Sequence, residues 1–135
     1  MASIVVVDAG PLVALFDRRD RHHHRAVEFL RDCRDRLVTN LPVLTEVTFL
    51  LRASVEVQCK VLWWASNALV IDHETSSDFP RIISLLEKYR DMPADFADAS
   101  LVAMAERLGV RQVATIDRDF DIYRLSGRQA FENVF

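Results

Sequence analysis

The sequence is poor in the residues that break or staple a chain. Three glycines and four prolines are spread over 135 residues, too few for a collagen-like repeat or a low-complexity, disordered chain. The two cysteines, Cys33 and Cys59, show no CxxC or His–Cys spacing. That excludes a disulfide-dense scaffold and a recognisable thiolate zinc site, and free thiols in a reducing compartment are the expectation. Lysine is as scarce, with Lys60 and Lys88 alone. No long apolar run goes uninterrupted. Ala2 to Phe16 is apolar, but Asp8 lies in its middle, no basic leader precedes it and Pro11 breaks it. It reads as neither a membrane span nor a secretion signal, and a cytoplasmic protein is expected.

What is present is ordinary globular material. Half of the residues are hydrophobic and 27% are charged, enough for one packed core, and a single domain over 1–135 is the expectation. The net charge of -3 runs against the basic surplus usual in phosphate binders. However, the positive charge is nearly all arginine, whose fork matches phosphate geometry, and a cluster of carboxylates stays negative until a cation fills it. Charge alone neither requires nor excludes RNA.

Ile4 to Val7 is a β-branched run without polar alternation, the pattern of a strand buried on both faces of a parallel sheet. A short helix carrying Leu12 to Phe16 follows. Asp20 is placed as the cap of a second helix reaching Arg34, with Ala26, Val27, Leu30 and Cys33 inward. A strand near Leu37 to Thr39 leads to Pro42, suited to the first turn of a helix that ends near Arg52. Ser54 caps the next helix, to about Asn67. Ala68 to Ile71 reads as a third buried strand ending at Asp72. A helix from Asp78–Pro80 stops before Met92–Pro93, and another runs from Ala94 to Leu108, closed by Gly109. Val110 to Ile116 holds a fourth strand and Phe131 to Val134 a short fifth. Strands alternating with helices predict an α/β three-layer sandwich with a mainly parallel central sheet flanked by helices.

Ligands in such sheets gather beyond the carboxyl ends of the strands. Asp8 and Asp117 stand there, although either alone is explained as a turn or cap residue. Glu46 is less easily explained. Its neighbours three and four away are Pro42, Val43, Phe49 and Leu50, so it shares the apolar stripe of its helix with no basic partner at those spacings. Asp98 repeats this with Leu101, Val102 and Ala105, and Asp95 lies one turn earlier, where an acid also suits the helix dipole. Carboxylates gathered at one sheet edge repel one another unless a cation neutralises them. Hard oxygen donors suit Mg²⁺ or Mn²⁺ rather than zinc, and the chemistry such ions support is phosphodiester hydrolysis.

Four segments carry a family resemblance: Val5-Val6-Val7-Asp8-Ala9-Gly10-Pro11-Leu12, Leu44-Thr45-Glu46-Val47, Asp95-Phe96-Ala97-Asp98-Ala99-Ser100-Leu101 and Ala114-Thr115-Ile116-Asp117-Arg118-Asp119-Phe120. Together they resemble the acidic motifs of PIN-domain nucleases, most of all the VapC-type toxins of bacterial toxin–antitoxin pairs, over essentially the whole chain. The resemblance implies a PIN fold and an endoribonuclease dependent on Mg²⁺ or Mn²⁺. Asp8, Glu46, Asp98 and Asp117 match its catalytic and metal positions. Thr115 matches a supporting hydroxyl, with Asp95 and Asp119 secondary. It also implies RNA as substrate, an antitoxin protein as partner, and a homodimer. Many members carry Ser or Thr where this chain has Gly10.

His22 to His24 read as a solvated or partly packed run, with only His23 aligned with Val27 and Leu30. Arg18, Arg19, Arg21 and Arg25 are candidates for phosphate contacts, or simply an exposed charged face. The helix after Ser54 has two apolar sides, Val55, Cys59, Leu62 and Trp63 on one and Val57, Val61, Trp64 and Ala65 on the other. That implies core burial together with an interface. Three other functions compete. A phosphoacceptor receiver domain would use Asp8, Asp72 and Thr115, yet it lacks the paired acid after Asp8 and the final lysine. A non-catalytic RNA-binding PIN module would be expected to lose acids that this chain keeps. A haloacid-dehalogenase-type phosphatase would need an Asp where Gly10 stands.

Overall fold

The computed structural model describes residues 3–92 and 94–135. Ala2 and Pro93, both used in the sequence reading, lie outside them. The chain alternates strands and helices as β1 (Ile4–Val7), α1 (Ala9–Phe16), α2 (His23–Asp32), β2 (Arg36–Asn40), α3 (Leu41–Leu50), α4 (Val55–Ala68), β3 (Val70–Asp72), α5 (Phe79–Lys88), α6 (Phe96–Leu108), β4 (Gln112–Ala114) and β5 (Glu132–Asn133). The five strands pair in the order β3-β2-β1-β4-β5, every pair parallel. Among the described residues six α-helices flank the sheet.

The central position of β1 follows from its composition. Val5 and Val6 are fully buried, with neighbours on both sides in the sheet. An uninterrupted β-branched run can be desolvated on both faces without leaving a polar group unpaired. From β1 the chain steps outward to β2 and β3, then returns to place β4 on the other side of β1. The C-terminal ends of β1 and β4 therefore flank a topological switch point, where open α/β sheets form a crevice. A receiver-type sheet has the order 2-1-3-4-5, so the observed order removes that rival on topology.

Local chemistry fixes the helix ends that matter. Asn40 Oδ1 accepts from the Val43 amide at 3.1 Å and so caps α3. Ser54 does the same for Val57 in α4, and Asp95 for Asp98 in α6. Each cap satisfies an amide with no partner inside its helix. Gly109 ends α6 at φ +69°, in the left-handed region a side chain would strain.

Three sequence expectations need correction. β3 is an edge strand and is not buried, with Val70 44% exposed, because only β2 pairs with it. Helix α2 begins at His23, later than Asp20; Asp20 Oδ1 instead accepts from the His22 amide ahead of it. Val27 is 40% exposed and does not belong to the inner face. The two-sided helix α4 resolves cleanly: Val61 and Ala65 are buried and Trp64 packs edge-on against Phe16 at 5.5 Å. Its other face stays open, with Trp63 75% exposed beside Leu62 and Val55.

Candidate metal centre

Four elements deliver acids to the crevice. Asp8 follows β1, and its amide donates to the carbonyl of Ala114 at 3.0 Å, so the sheet ladder itself positions it. Asp117 follows β4 by three residues. Glu46 comes from the second turn of α3 and Asp98 from the first turn of α6. Asp8, Glu46, Asp95, Asp98, Asp117 and Asp119 line one cleft of about 400 Å³. Within it, Asp8, Asp98 and Asp117 each offer a carboxylate oxygen lying within 4.8 Å of the others. Glu46 stands on the same cleft but outside that tight group.

The hydroxyl of Thr115 links two of the three. It accepts from the Asp117 amide at 3.0 Å and donates to Asp8 Oδ2 at 2.8 Å. One buried side chain thus fixes the backbone carrying one acid and the orientation of another. Thr115 is held in turn by Asn133 of β5, which accepts from its amide and donates to its carbonyl. Asp117 Oδ1 accepts from the Asp119 amide at 2.9 Å, giving Asp119 a local structural part. The Asp95 side chain, at 2.8 Å from the Asp98 amide, anchors the first turn of α6.

Electrostatically the cluster is uncompensated. No lysine, arginine or histidine among the described residues forms an ion pair with its acids. Asp8 and Asp98 are 4% and 8% exposed. Burial pushes the Asp8 carboxyl from 3.8 up to about 6; the Thr115 hydroxyl works against that, and repulsion from Asp117 and Asp95 adds to it. Burial, then repulsion from Asp8, Asp95, Asp117 and Glu46, pushes Asp98 up to about 8. Glu46 rises to about 7 through burial and then Asp95, Asp8 and Asp117. Carboxylates so placed are costly as anions until a cation joins them. An all-oxygen donor set of this kind fits a hard divalent ion.

Not every sequence candidate reaches the cleft. Arg18, Arg19, Arg21 and Arg25 lie beyond the far end of α1 and in α2, and none of them lines it. Arg25 is committed elsewhere: its Nε donates to the carbonyl of Phe135 at 2.9 Å and its guanidinium lies 4.5 Å from that ring's centre. His23 Nδ1 is 2.8 Å from the carbonyl of Ala14, a packing role. Asp72 is held by Arg107 at 2.7 Å, away from the cleft. At Gly10 an added Cβ would meet Ile116 side-chain atoms at 3.2 Å, so the Ile116 side chain crowds this position.

Three residues went unnoticed in the sequence. Asn40, already the cap of α3, also donates from Nδ2 to Ser100 Oγ at 3.1 Å, and Ser100 donates to the Ala97 carbonyl. This fully buried bridge ties the helix of Glu46 to that of Asp98. Tyr123 donates to Asp98 Oδ2 at 3.3 Å. Polar residues in otherwise apolar surroundings were the available signal, but their partners lie 25 to 60 positions away.

Comparison with known proteins agrees with this geometry. The family described as PIN domain matches residues 5–125. A curated relative, Ribonuclease VapC26 of Mycobacterium tuberculosis, is 27% identical over 117 residues, 84% of this chain and 87% of that protein. Among solved structures, the Mycobacterium tuberculosis toxin VapC20, described as cleaving the sarcin–ricin loop, superimposes with a TM-score of 0.81. It is 23% identical, and the match covers 89% of this chain and 94% of VapC20. VapBC2 of Rickettsia felis, bound to a DNA fragment from its promoter, gives 0.64 at 14% identity, covering 96% and 98%. These two structural likenesses speak to the fold.

Proposed function

This chain belongs to the PIN-domain family, and from that premise we propose that it is a Mg²⁺- or Mn²⁺-dependent endoribonuclease acting as the toxin of a toxin–antitoxin pair. The observation that carries the reading is the tight group of Asp8, Asp98 and Asp117 oxygens, without a basic partner among the described residues, at the switch point of a parallel sheet. The ribonuclease and toxin names of VapC26 and VapC20 support the substrate class, and the two-component VapBC2 assembly supports an antitoxin partner. A cytoplasmic location and a homodimer belong to the same proposal, as does one folded unit over 1–135. Among the described residues no helix is long and apolar enough to cross a membrane.

In this reading Asp8, Asp98 and Asp117 hold the ion, with Glu46 as the fourth acid of the cleft. A bound divalent ion would activate water and stabilise the leaving oxygen of a phosphodiester. The chain's own residues prepare the place. Thr115 orients Asp8, Asp95 anchors the turn that carries Asp98, and the Asp119 amide holds Asp117. Crowded carboxylates repel an unneutralised phosphate, so the cleft would accept substrate only with the ion in place. The test is incubation of total cellular RNA with the parent, Asp8→Asn and Asp98→Asn, in Mg²⁺ or Mn²⁺ and in EDTA. The expected result is cutting by the parent alone, lost in EDTA, with end sequencing then naming the target. Equal cutting by all three proteins would contradict the assignment. Silence from the folded, partner-free parent on all RNA would favour a non-catalytic RNA-binding module.

A further inference from the structure

Tyr123 is 2% exposed, and its hydroxyl has one hydrogen-bond partner among the described residues, Asp98 Oδ2. The ring is held from several directions. It meets Phe120 edge-on at 5.1 Å and Tyr89 at 5.1 Å, and its amide donates to the Asp119 carbonyl at 3.0 Å. The next residue is fixed as well, because the Arg124 amide donates to the Tyr89 hydroxyl at 3.0 Å. The phenol is therefore presented to Asp98 by a packed aromatic cluster rather than by a mobile loop.

A carboxylate rotates broadly about its last torsion. Three neighbouring oxygens can act as one donor set only if that rotation is limited in advance. Thr115 does this for Asp8 and the Asp119 amide does it for Asp117. Asp98 has its backbone anchored by Asp95, but among the described residues the side-chain hydrogen bond its carboxylate receives comes from Tyr123. With an ion bound Asp98 is ionised and can only accept, so in that state the phenol is the donor.

Building on the nuclease reading, we propose that Tyr123 is a positioning residue for the metal centre, orienting the Asp98 carboxylate so that it completes the donor set with Asp8 and Asp117. Partners of ligating groups govern how tightly a site holds its ion. Loss of this hydroxyl should therefore appear first in metal affinity, and only through it in catalysis.

Tyr123→Phe keeps the ring and its packing and removes only the donor. Tyr89→Phe is the control: it removes the other hydroxyl of the same cluster, one that faces the Arg124 amide and not an acid. Mn²⁺ binding to parent and both variants is measured directly by calorimetry, with the metal dependence of RNA cleavage alongside. Tyr123→Phe should bind Mn²⁺ about tenfold more weakly, and high Mn²⁺ should restore most of its cleavage rate. Tyr89→Phe should bind Mn²⁺ within about twofold of the parent. Unchanged Mn²⁺ affinity in Tyr123→Phe overturns the inference while leaving the nuclease reading intact. Equal weakening in both variants also overturns it, reducing the effect to packing of the aromatic cluster. A parent that neither binds Mn²⁺ nor cuts RNA overturns the nuclease reading and this inference together.

Discussion

Replacing Asp8 by asparagine should stabilise the metal-free protein at neutral pH, an advantage over the parent that added metal closes or reverses. Asp8 is almost completely buried, and its carboxyl is raised from 3.8 to about 6, chiefly by that burial. A group whose folded-state pKa is raised contributes stability that is full below pH 3.8 and is lost as pH rises through about 6. At about 1.4 kcal/mol per pH unit the loss approaches about 3 kcal/mol above pH 7. Asparagine carries no charge, and its carbonyl can still accept from Thr115. In EDTA at pH 8 the variant should be more stable by about 1–3 kcal/mol, a gain of several degrees in Tm for a chain of this length. At pH 4 the two should nearly coincide. Saturating Mg²⁺ at a hundredfold excess over its dissociation constant would add about 2.7 kcal/mol to the parent and much less to a variant missing a donor, closing or reversing the gap. Urea unfolding at pH 4 and pH 8, with EDTA and with Mg²⁺, reads all of this. A variant less stable than the parent by the same amount under all four conditions would refute the reasoning, reducing Asp8 to an ordinary packing residue.

Other perturbations have distinct signatures. Thr115→Val leaves Asp8 and the Asp117 amide without their common partner and should cost about 1–3 kcal/mol, with weaker Mn²⁺ binding visible by calorimetry. Arg107→Gln breaks the pairs with Asp72 and Asp78; it should lower stability by about 2 kcal/mol yet leave RNA cleavage at permissive temperature unchanged. Gly109→Ala forces a side chain into the left-handed end of α6 and should cost about 1 kcal/mol in urea unfolding. Trp63→Ser, on the open face of α4, should change the stability of the isolated chain by less than about 0.5 kcal/mol.

How much of this was readable from the sequence depended on the range of the interaction. The buried β1, the Ser54 cap, Pro42 in the first turn of α3 and the Gly109 stop are local signals, and their elements stand within a few residues of where composition puts them. Glu46 and Asp98 were visible because each interrupts an apolar stripe. Edge and centre were not legible for β3, since a short apolar run reads alike in both positions; only pairing decides. The choice between the two faces of α4 rests on contacts such as Trp64 with Phe16, again outside any local window. For the same reason Asn40, Ser100 and Tyr123 escaped notice. Each is an unremarkable polar residue until the fold brings its distant partner alongside. That three acids form a tight group while Glu46 stands slightly apart is likewise a tertiary fact.

The most direct test of the central claim is anomalous diffraction from crystals grown or soaked in Mn²⁺. A peak within coordinating distance of the carboxylates of Asp8, Asp98 and Asp117, absent in Asp98→Asn crystals treated identically, is the expected result. Crystals of a preparation that cuts RNA in Mn²⁺, yet show no peak in this cleft or a peak only elsewhere, would contradict it.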